Sequence, residues 1–309
     1  KEINKSESKE IKTEAKKDPI KKDKRFRQYE NLDKIGEIPL YYGFIPKQSP
    51  AIKKIDLDNA RTLIEGDFAE YEDSEKTRLP LHVEEKVALL RMYHEENMYN
   101  MTQPLMFYFK QPFKGSLKKG SMDRYCDLEI MGNSTSIAEV TLIQTARKIL
   151  LEEGYEDTYV EINSIGDKDS IARFTRDLTN YYRKHVNTMH SECRELLKKD
   201  PFELLGCQND KCKKLNSEAP KPMDFLSEKS RNHFKEILEY LEALKIPYTI
   251  NNHLIGNKRY CTETVFALVE NKNDKEIKKE GEKMPKDRKI LAIGVRYDTL
   301  SKKVGMKKE

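Results

Sequence analysis

The apolar residues of this chain occur in short runs separated by polar turns, and this arrangement restricts the fold more than any other feature. Several runs have the length and composition of a buried or half-buried strand. No run approaches the roughly 18 apolar residues that a membrane-spanning helix requires, and the lysine-rich start lacks the apolar core of a signal peptide. The predicted strands are 103–110, 123–132, 158–165, 248–251, 264–270 and 289–295.

Helical patterns separate these strands at irregular intervals. One stripe with helical spacing consists of Ala138, Leu142, Ala146 and Ile149, with Ser134, Thr135 or Ser136 as the candidate cap. A second stripe consists of Phe234, Ile237, Leu238, Leu241 and Leu244, with Pro247 ending the helix. Strands joined by tight polar turns, with helices at irregular intervals, favour an α+β fold with a largely antiparallel sheet.

The charge is concentrated in two segments. Charged residues make up 36% of the 309 residues, against about 25% in an average globular protein. Residues 1–26 have few aliphatic side chains and are predicted to be a disordered charged tail, with RNA contact by its lysines as the alternative. Residues 271–289 separate two apolar runs and are predicted to be a charged surface loop. Residues 27–309 are then one domain.

The remaining composition excludes some classes of function. A net charge of only +5 gives no overall field that would attract nucleic acid. Five cysteines, an odd number, fit the reducing cytoplasm better than a disulfide framework. Cys207 and Cys212 have no second pair and no nearby histidine that would complete a zinc site, so we interpret them as ordinary thiols and predict no metal. No Walker-type loop and no HExxH, GxSxG or GxGxxG motif occurs.

Several segments follow one another in an order that is typical of one enzyme family. Among them are Gly43-Phe-Ile-Pro-Lys-Gln-Ser-Pro50, Glu161-Ile-Asn-Ser-Ile-Gly166 and Arg296-Tyr-Asp-Thr-Leu300. The other segments are 103–110 and 123–132 with their loop, 219–234 and 254–266. Together, over roughly residues 40–302, they resemble the catalytic domain of histidyl-tRNA synthetases, with motif 1 at 43–50 and motif 2 at 103–132.

This resemblance implies an architecture and an assembly. The expected fold is a class II aminoacyl-tRNA synthetase-like antiparallel sheet flanked by helices, with a helical insertion region at 167–245. The family dimerises through motif 1, so a homodimer is implied, with Pro50 near its interface. The expected partners are histidine and tRNA, with ATP and Mg²⁺ as cofactors if the chain is active.

The resemblance also implies a set of substrate-binding residues. Glu84 aligns with the acid that pairs with the α-ammonium group of histidine. Glu129 and Tyr260 align with groups that face the imidazole, since a carboxylate accepts and a phenol donates a hydrogen bond. Tyr125 stands in place of a glutamine, and Arg296 is a further candidate contact. The alternatives are an outward strand residue for Glu129, a core aromatic for Tyr260 and a structural ion pair for Arg296.

The positions that would hold ATP differ from the family. Lys110, the candidate catalytic residue, and Gly256 stand where the family has arginines, and Pro112 stands near the position of the acid that meets adenine. Lysine lacks the planar fork of arginine, and glycine has no charge. The strand at 292–295 has larger side chains where the family is glycine-rich. No segment similar to motif 3 follows before Glu309. We therefore expect amino-acid activation to be weak or lost.

Basic residues in and after the motif 2 loop are candidate tRNA contacts, because binding to phosphates needs little sequence precision. They are Lys114, Lys118, Lys119 and Arg124; the alternative is a solvated turn. Two functions remain open. The first is ATP-dependent joining of histidine to tRNA through histidyl-adenylate. The second is a non-catalytic paralogue that binds histidine, as a regulatory subunit of ATP phosphoribosyltransferase does, or that binds RNA.

Overall fold

The computed structural model describes residues 32–63, 82–110, 126–207, 209–271 and 289–305. The predicted tail at 1–26 and residues 272–288 of the predicted charged loop lie outside these ranges. Five predicted site residues also lie outside them, namely Lys114, Lys118, Lys119, Arg124 and Tyr125.

A three-stranded sheet carries the motif 1 and motif 2 segments. Its strands are β1 (Ile45–Pro46), β2 (Leu105–Phe109) and β3 (Asp127–Met131), in that order. β1 runs parallel to β2, while β2 and β3 are antiparallel, with Phe107 opposite Glu129. Because side chains alternate along a strand, Asp127 and Glu129 share one face of β3.

A four-stranded sheet follows, in the order β5–β4–β6–β7. Its strands are β4 (Thr158–Gly166), β5 (Tyr248–Ile250), β6 (Thr262–Glu270) and β7 (Lys289–Arg296). β4 pairs in parallel with β5 and antiparallel with β6, and β7 is antiparallel to β6. β4 and β6 are central and almost fully buried, as the near-continuous apolar run of β6 predicts.

Nine α-helices are present in the described ranges. They are α1 (Lys34–Tyr41), α2 (Lys54–Arg61), α3 (Val83–Glu95), α4 (Ile137–Glu152), α5 (Lys168–Lys184), α6 (Ser191–Lys199), α7 (Asp210–Ser217), α8 (Glu228–Ala243) and α9 (Leu300–Lys303). Short 3-10 helices lie at Met98–Asn100, Val186–Thr188, Pro201–Gly206 and Pro222–Phe225. None of these helices is long and apolar enough to cross a membrane.

Two apolar clusters form most of the core. In the first, α4 and α8 pack on β4 and β6 through side chains that include Ile143, Ile162, Ile237 and Phe266. In the second, α3 and the helices of the insertion region meet the segment that contains Tyr260. This second cluster supports one wall of the candidate site.

The structure confirms the α+β fold with sheets rich in antiparallel pairs. The strands form two sheets in the described residues, each with one parallel pair, where the sequence predicts a single central sheet. α8 ends at Ala243, before Pro247, and Leu244 is 46% exposed, so its placement on the buried stripe is wrong. Leu244 is the C-terminal cap of the helix, and Ile246, two residues later, is buried in the apolar cluster instead.

Candidate functional site

The centre of the candidate site is a buried charge cluster between α3 and β3. Lys86 lies in the first turn of α3, and its Nζ atom is 2.8 Å from Oδ2 of Asp127. The same Nζ atom donates a hydrogen bond to Oε1 of Glu129. Lys86 is 7% exposed and Glu129 is 4% exposed. A lysine is rarely buried to this extent without partners, so the carboxylates on the α3-facing side of β3 explain its position.

Tyr297 completes this cluster from the turn that follows β7. Its hydroxyl donates a hydrogen bond to Oε2 of Glu129, the second oxygen of that carboxylate. Lys86 and Tyr297 therefore hold Glu129 from two elements that are far apart in sequence. We call Lys86, Asp127, Glu129 and Tyr297 the Glu129 cluster.

Burial dominates the electrostatics of this cluster. Burial raises the pKa of Glu129 to about 7. The charge on Lys86 opposes this increase, and the charge on Asp127 adds to it. Burial lowers the pKa of Lys86, but the charges of Asp127 and Glu129 outweigh it and raise that pKa overall. Burial, followed by the charge of Glu129, raises the pKa of Tyr297 well above its usual value. Glu129 can thus exchange a proton near neutral pH, while Lys86 stays charged.

Further acidic groups lie at the start of α3. Glu84 and Glu85 are both almost fully buried. Oε1 of Glu84 is 3.4 Å from Nδ1 of His82, the residue that precedes the helix. Carboxylates in the first turn are stabilised by the positive end of the helix dipole, which explains why two acids are tolerated here.

The predicted contact Tyr260 lies in a tight turn next to this region. Asn257 holds the turn: its carbonyl accepts from the amides of Tyr260 and Cys261, and its side chain accepts from the amide of Arg259. Tyr260 is 1% exposed and belongs to the same apolar cluster as Val83 and Val87 of α3, with Tyr297 packed against that cluster. The structure therefore brings α3, the 257–261 turn and Tyr297 to one place.

Polar side chains of β4 fix the approach of this segment to the sheet. Asn163 donates to the carbonyl oxygen of Leu254 at 3.0 Å, and Asn251 donates to Oε2 of Glu161 at 2.8 Å. Glu161 and Asn163 are fully buried. Hydrogen bonds between buried polar groups position the backbone they contact, so the Glu161–Gly166 segment acts as support for the site.

Two curated relatives match most of this chain. A histidine–tRNA ligase of Wolbachia pipientis is 28% identical over 283 residues, which cover 88% of this chain and 65% of the relative. A histidine–tRNA ligase of Clostridium novyi is 24% identical over 248 residues, which cover 77% of this chain and 60% of the relative. The chain thus spans under two thirds of the length of both relatives. No protein-family model matches it.

Solved structures show the same fold. The apo S. aureus histidyl-tRNA synthetase superposes with a TM-score of 0.60 and 21% identity, over 88% of this chain and 62% of that chain. The chain is histidyl-tRNA synthetase-like. A protein described as an ATP phosphoribosyltransferase regulatory subunit/histidyl-tRNA synthetase from Bacillus halodurans superposes with a TM-score of 0.52 and 16% identity, over 87% of this chain and 72% of that chain.

Lys110 and Gly256, the two positions at which the resemblance predicts arginines, have defined environments in this histidyl-tRNA synthetase-like chain. Lys110, at the end of β2, pairs with Asp33 with an Nζ–Oδ2 distance of 2.6 Å, and both side chains are about half exposed. That contact is the largest cause of the lowered pKa of Asp33. At Gly256, a Cβ atom would lie 2.7 Å from Cβ of Cys261 and 3.0 Å from Cγ1 of Val265. No side chain fits at Gly256 without movement of its neighbours.

The predicted contact Arg296 occupies a buried ion-pair network. Its Nε and Nη2 atoms bind the two oxygens of Glu139 at 2.8 and 2.7 Å. It also donates to the carbonyl oxygens of Asn133 and Thr135, and His233 contacts Glu139 at 2.8 Å. The neighbouring residue Tyr297 faces the Glu129 cluster instead.

Sequence reasoning missed Lys86, Asp127 and Tyr297. Tyr297 lies inside the Arg296–Leu300 motif, and Asp127 lies two residues before Glu129. Lys86 could have been found from its place among apolar residues, directly before Val87. A lysine in such a place is buried with its neighbours and needs an acidic partner. Tyr260 and Glu129 are buried together with this region. Lys110 follows Phe109, which pairs with Asp127 across the sheet, but its side chain is half exposed and pairs with Asp33.

The motif 1 segment lies beside an exposed apolar surface. Pro50 is half-buried and lies between β1 and α2. Four large apolar side chains in α1, β1 and α2, the elements that flank it in sequence, are exposed, with Tyr41 the most exposed at 85%; they are Leu40, Tyr41, Ile45 and Ile55. We call these four residues the motif 1 patch. β1 is an edge strand of its sheet in the described part of the chain.

Proposed function

We propose that this histidyl-tRNA synthetase-like chain binds histidine at the Glu129 cluster. We also propose that its capacity to join histidine to tRNA through histidyl-adenylate is strongly reduced. The Glu129 cluster carries this proposal, because a carboxylate with a raised pKa lies on the strand that matches the substrate-facing strand of the family. The ligase activity of the relatives supports histidine as the substrate.

The charge of the region supports an amino acid with basic groups. Four buried or nearly buried carboxylates, those of Glu84, Glu85, Asp127 and Glu129, lie in α3 and β3 with one buried lysine, Lys86. Because buried charges require compensation, an acidic surplus favours an ammonium group as ligand. An imidazole can add one donor and one acceptor for Glu129 and for the phenol of Tyr260.

The described residues do not fit ATP as the resemblance implies. Lys110 is paired with Asp33, and Gly256 has no room for an arginine side chain. Loss of one preorganised donor to a developing anion typically lowers a rate by about 10²–10³. Two such losses support a rate of activation far below that of an ordinary synthetase.

The decisive experiment combines binding and activation. Isothermal titration with histidine should give a binding signal that Glu129→Gln abolishes and that Glu239→Gln, a change at an exposed acid on α8, leaves unchanged. Histidine-dependent exchange of pyrophosphate into ATP should be at least ~10²-fold slower than in a full-length histidine–tRNA ligase run in parallel. No binding of histidine would refute the first part of the proposal, and ordinary exchange rates would refute the second.

A second candidate is a paralogue that binds histidine without activating it. The absence of an arginine at both Lys110 and Gly256 favours it, and so does the fold shared with the Bacillus halodurans protein described as a regulatory subunit. Such a chain would act like a regulatory subunit of ATP phosphoribosyltransferase. The two candidates differ in one measurement: weak but histidine-dependent exchange supports the ligase, and binding with no exchange supports the regulator.

We propose a homodimer through the motif 1 patch, with Pro50 near the interface. Exposed apolar side chains of this size mark interaction surfaces when they are adjacent. Light scattering after size-exclusion chromatography should show twice the mass of the chain for the unmodified protein. Tyr41→Asp should shift it to a monomer, whereas Tyr240→Asp, a change at an exposed tyrosine on α8, should not. A monomeric unmodified chain would refute this assignment.

We also propose contact with tRNA through the motif 2 loop and a cytoplasmic location, since the relatives are tRNA ligases. The loop residues concerned are Lys114, Lys118, Lys119 and Arg124. Affinity for tRNA should fall steeply with salt and fall further when these residues are changed to alanine. Equal affinity in the unmodified and changed proteins would remove the loop from the tRNA interface.

A further inference from the structure

Three cysteines from separate elements meet in the insertion region. Cys193 lies on α6, Cys207 follows the 3-10 helix Pro201–Gly206, and Cys212 lies on α7. The Sγ atom of Cys193 is 3.1 Å from that of Cys207 and 3.3 Å from that of Cys212. All three Sγ atoms lie within 4.8 Å of one another. Cys193 and Cys212 are buried, and Cys207 is half-buried.

We propose that these cysteines bind a structural Zn²⁺ ion, with His190 as the fourth ligand. Structural zinc is tetrahedral and is bound by cysteine and histidine. A Zn–S distance of about 2.3 Å separates two sulfur ligands by about 3.8 Å in a tetrahedron. The two separations of 3.1 and 3.3 Å would therefore have to increase by about 0.7 and about 0.5 Å to admit the ion. This proposal is independent of the proposed function.

The fourth ligand follows from spacing. His190 is the residue immediately before α6, and Cys193 is the third residue of that helix. Residues three apart at the start of a helix lie on the same side of it, and a two-residue gap between ligands is common in zinc sites. The His190 side chain is 38% exposed and its ring contacts only Glu192 among the described ion pairs, at 3.9 Å. Its nitrogens are outside the group of atoms that lie within 4.8 Å of one another, so our proposal requires this partly exposed ring to move toward the sulfur atoms when the ion binds.

Burial raises the pKa of the Cys193 thiol, so the formation of thiolates here depends on positive charge close to the sulfur atoms. Cys193 and Cys212 are each the third residue of a helix, where the positive end of the helix dipole stabilises a negative charge. Basic residues adjoin both cysteines in sequence: Arg194 follows Cys193, and Lys211 and Lys213 flank Cys212. Three thiolates, a neutral histidine and Zn²⁺ carry a net charge of −1, which these cations offset.

A disulfide explains the cluster less well. It would join two of the sulfur atoms and leave the third buried beside them. The nearest pair is 3.1 Å apart, whereas a disulfide bond is about 2.05 Å long. The elements concerned are also short, with 9 residues in α6, 6 in the 3-10 helix and 8 in α7. Helices of this length are marginal without tertiary links, and one metal ion would connect all three.

The first test measures metal in the purified full-length chain. Protein produced in zinc-supplemented medium and purified with a non-thiol reductant should contain about one Zn²⁺ per chain by elemental analysis. Cys207→Ser and Cys212→Ser should each lose the metal. Cys126→Ser, which changes an exposed cysteine outside the cluster, should keep it. His190→Ala should retain some metal but release it to a chelator at least ~10-fold faster.

The second test does not depend on the folding of any variant. The unmodified chain, stripped of metal and reloaded with Co²⁺, should show thiolate-to-metal charge-transfer bands and the ligand-field bands of a tetrahedral site, and Zn²⁺ should abolish both. Reduced protein with less than about a tenth of an equivalent of zinc and no such bands would overturn the proposal. So would a count of only three free thiols in the denatured, unreduced chain, since that indicates a disulfide. A His190→Ala variant with unchanged metal release would remove His190 from the ligand set.

Discussion

The Glu129 cluster makes a quantitative prediction about Lys86→Met. This change keeps the apolar stem and removes the charge that pairs with Asp127 and Glu129. Breaking a buried ion pair by removing one partner typically costs about 3–5 kcal/mol. Asp127 is 15% exposed and retains some hydration, so we expect a value near ~3 kcal/mol at pH 8.

Part of this penalty should depend on pH. With Lys86 present, the pKa of Glu129 is about 7; without it, that pKa rises further, and Glu129 stays protonated at pH 8. Between pH 7 and pH 8, Glu129 is therefore ionised in the unmodified protein but protonated in the variant, and one pH unit of this difference corresponds to about 1.4 kcal/mol in the free energy of unfolding. The Lys86→Met penalty should therefore grow by ~1.4 kcal/mol between pH 5.5 and pH 8. In a Glu129→Gln background, the penalty should be the same at both values.

The assay is urea unfolding followed by far-ultraviolet circular dichroism, because the chain has no tryptophan. Lys53→Met serves as the matched control, since Lys53 pairs with Glu95 at a distance of 3.0 Å but is 53% exposed. Exposed pairs contribute about 0–1 kcal/mol, so this control should change little at either pH. A Lys86→Met penalty that is equal at pH 5.5 and pH 8, or below about 1 kcal/mol at pH 8, would refute the charge reasoning.

Four further changes test the surrounding structure. Arg296→Leu should lower the free energy of unfolding by ~3–5 kcal/mol at pH 7, because it leaves Glu139 buried without its bidentate partner; a loss below 1 kcal/mol would contradict this. Burial raises the pKa of Glu139, but the contacts with His233 and Arg296 outweigh burial and hold that pKa below its usual 4.5. The ionised carboxylate therefore stabilises the fold above about pH 4.5, and this stabilisation is lost on further acidification. Glu139→Gln should make the free energy of unfolding depend less on pH in this acid range. Gly294→Ala should lower the free energy of unfolding by ~1–3 kcal/mol, since the added Cβ would lie 2.1 Å from the Phe266 ring. Phe266→Leu should reduce that loss. Equal losses with Phe266 and with Leu at position 266 would show that the ring is not the obstacle. Lys110→Met should change unfolding by less than ~1 kcal/mol, because its pair with Asp33 is half exposed, and a larger loss would indicate an interaction that this ion pair does not explain.

Local patterns were sufficient to predict most elements of the fold. The strand predicted at 158–165 is β4 (Thr158–Gly166), and the predicted stripe from Ala138 to Ile149 lies on α4 (Ile137–Glu152). Pro247 is predicted to end the second helix, and α8 ends at Ala243, before that proline. Periodicity, caps and proline act over a few residues, so sequence is enough to identify them.

Pairing between distant residues was not predictable in this way. Lys86 meets Glu129 across 43 positions, and Arg296 meets Glu139 across 157. The sequence left Arg296 open between a ligand contact and a structural ion pair, and the structure pairs it with Glu139. Cys207 and Cys212 are an incomplete pair in the sequence, since no second pair and no nearby histidine accompanies them. Cys193, which lies 14 residues before Cys207, joins them only in the fold.

The α+β class, six of the seven strands in the described residues and the resemblance to histidyl-tRNA synthetases follow from the sequence alone. These properties depend on local periodicity and on the order of short segments along the chain. The tertiary structure adds that the described strands form two sheets, that Lys86 and Tyr297 bind Glu129, and that three cysteines lie together. Those outcomes depend on which faces of distant elements bury one another, and burial decides which charges and thiols must find partners.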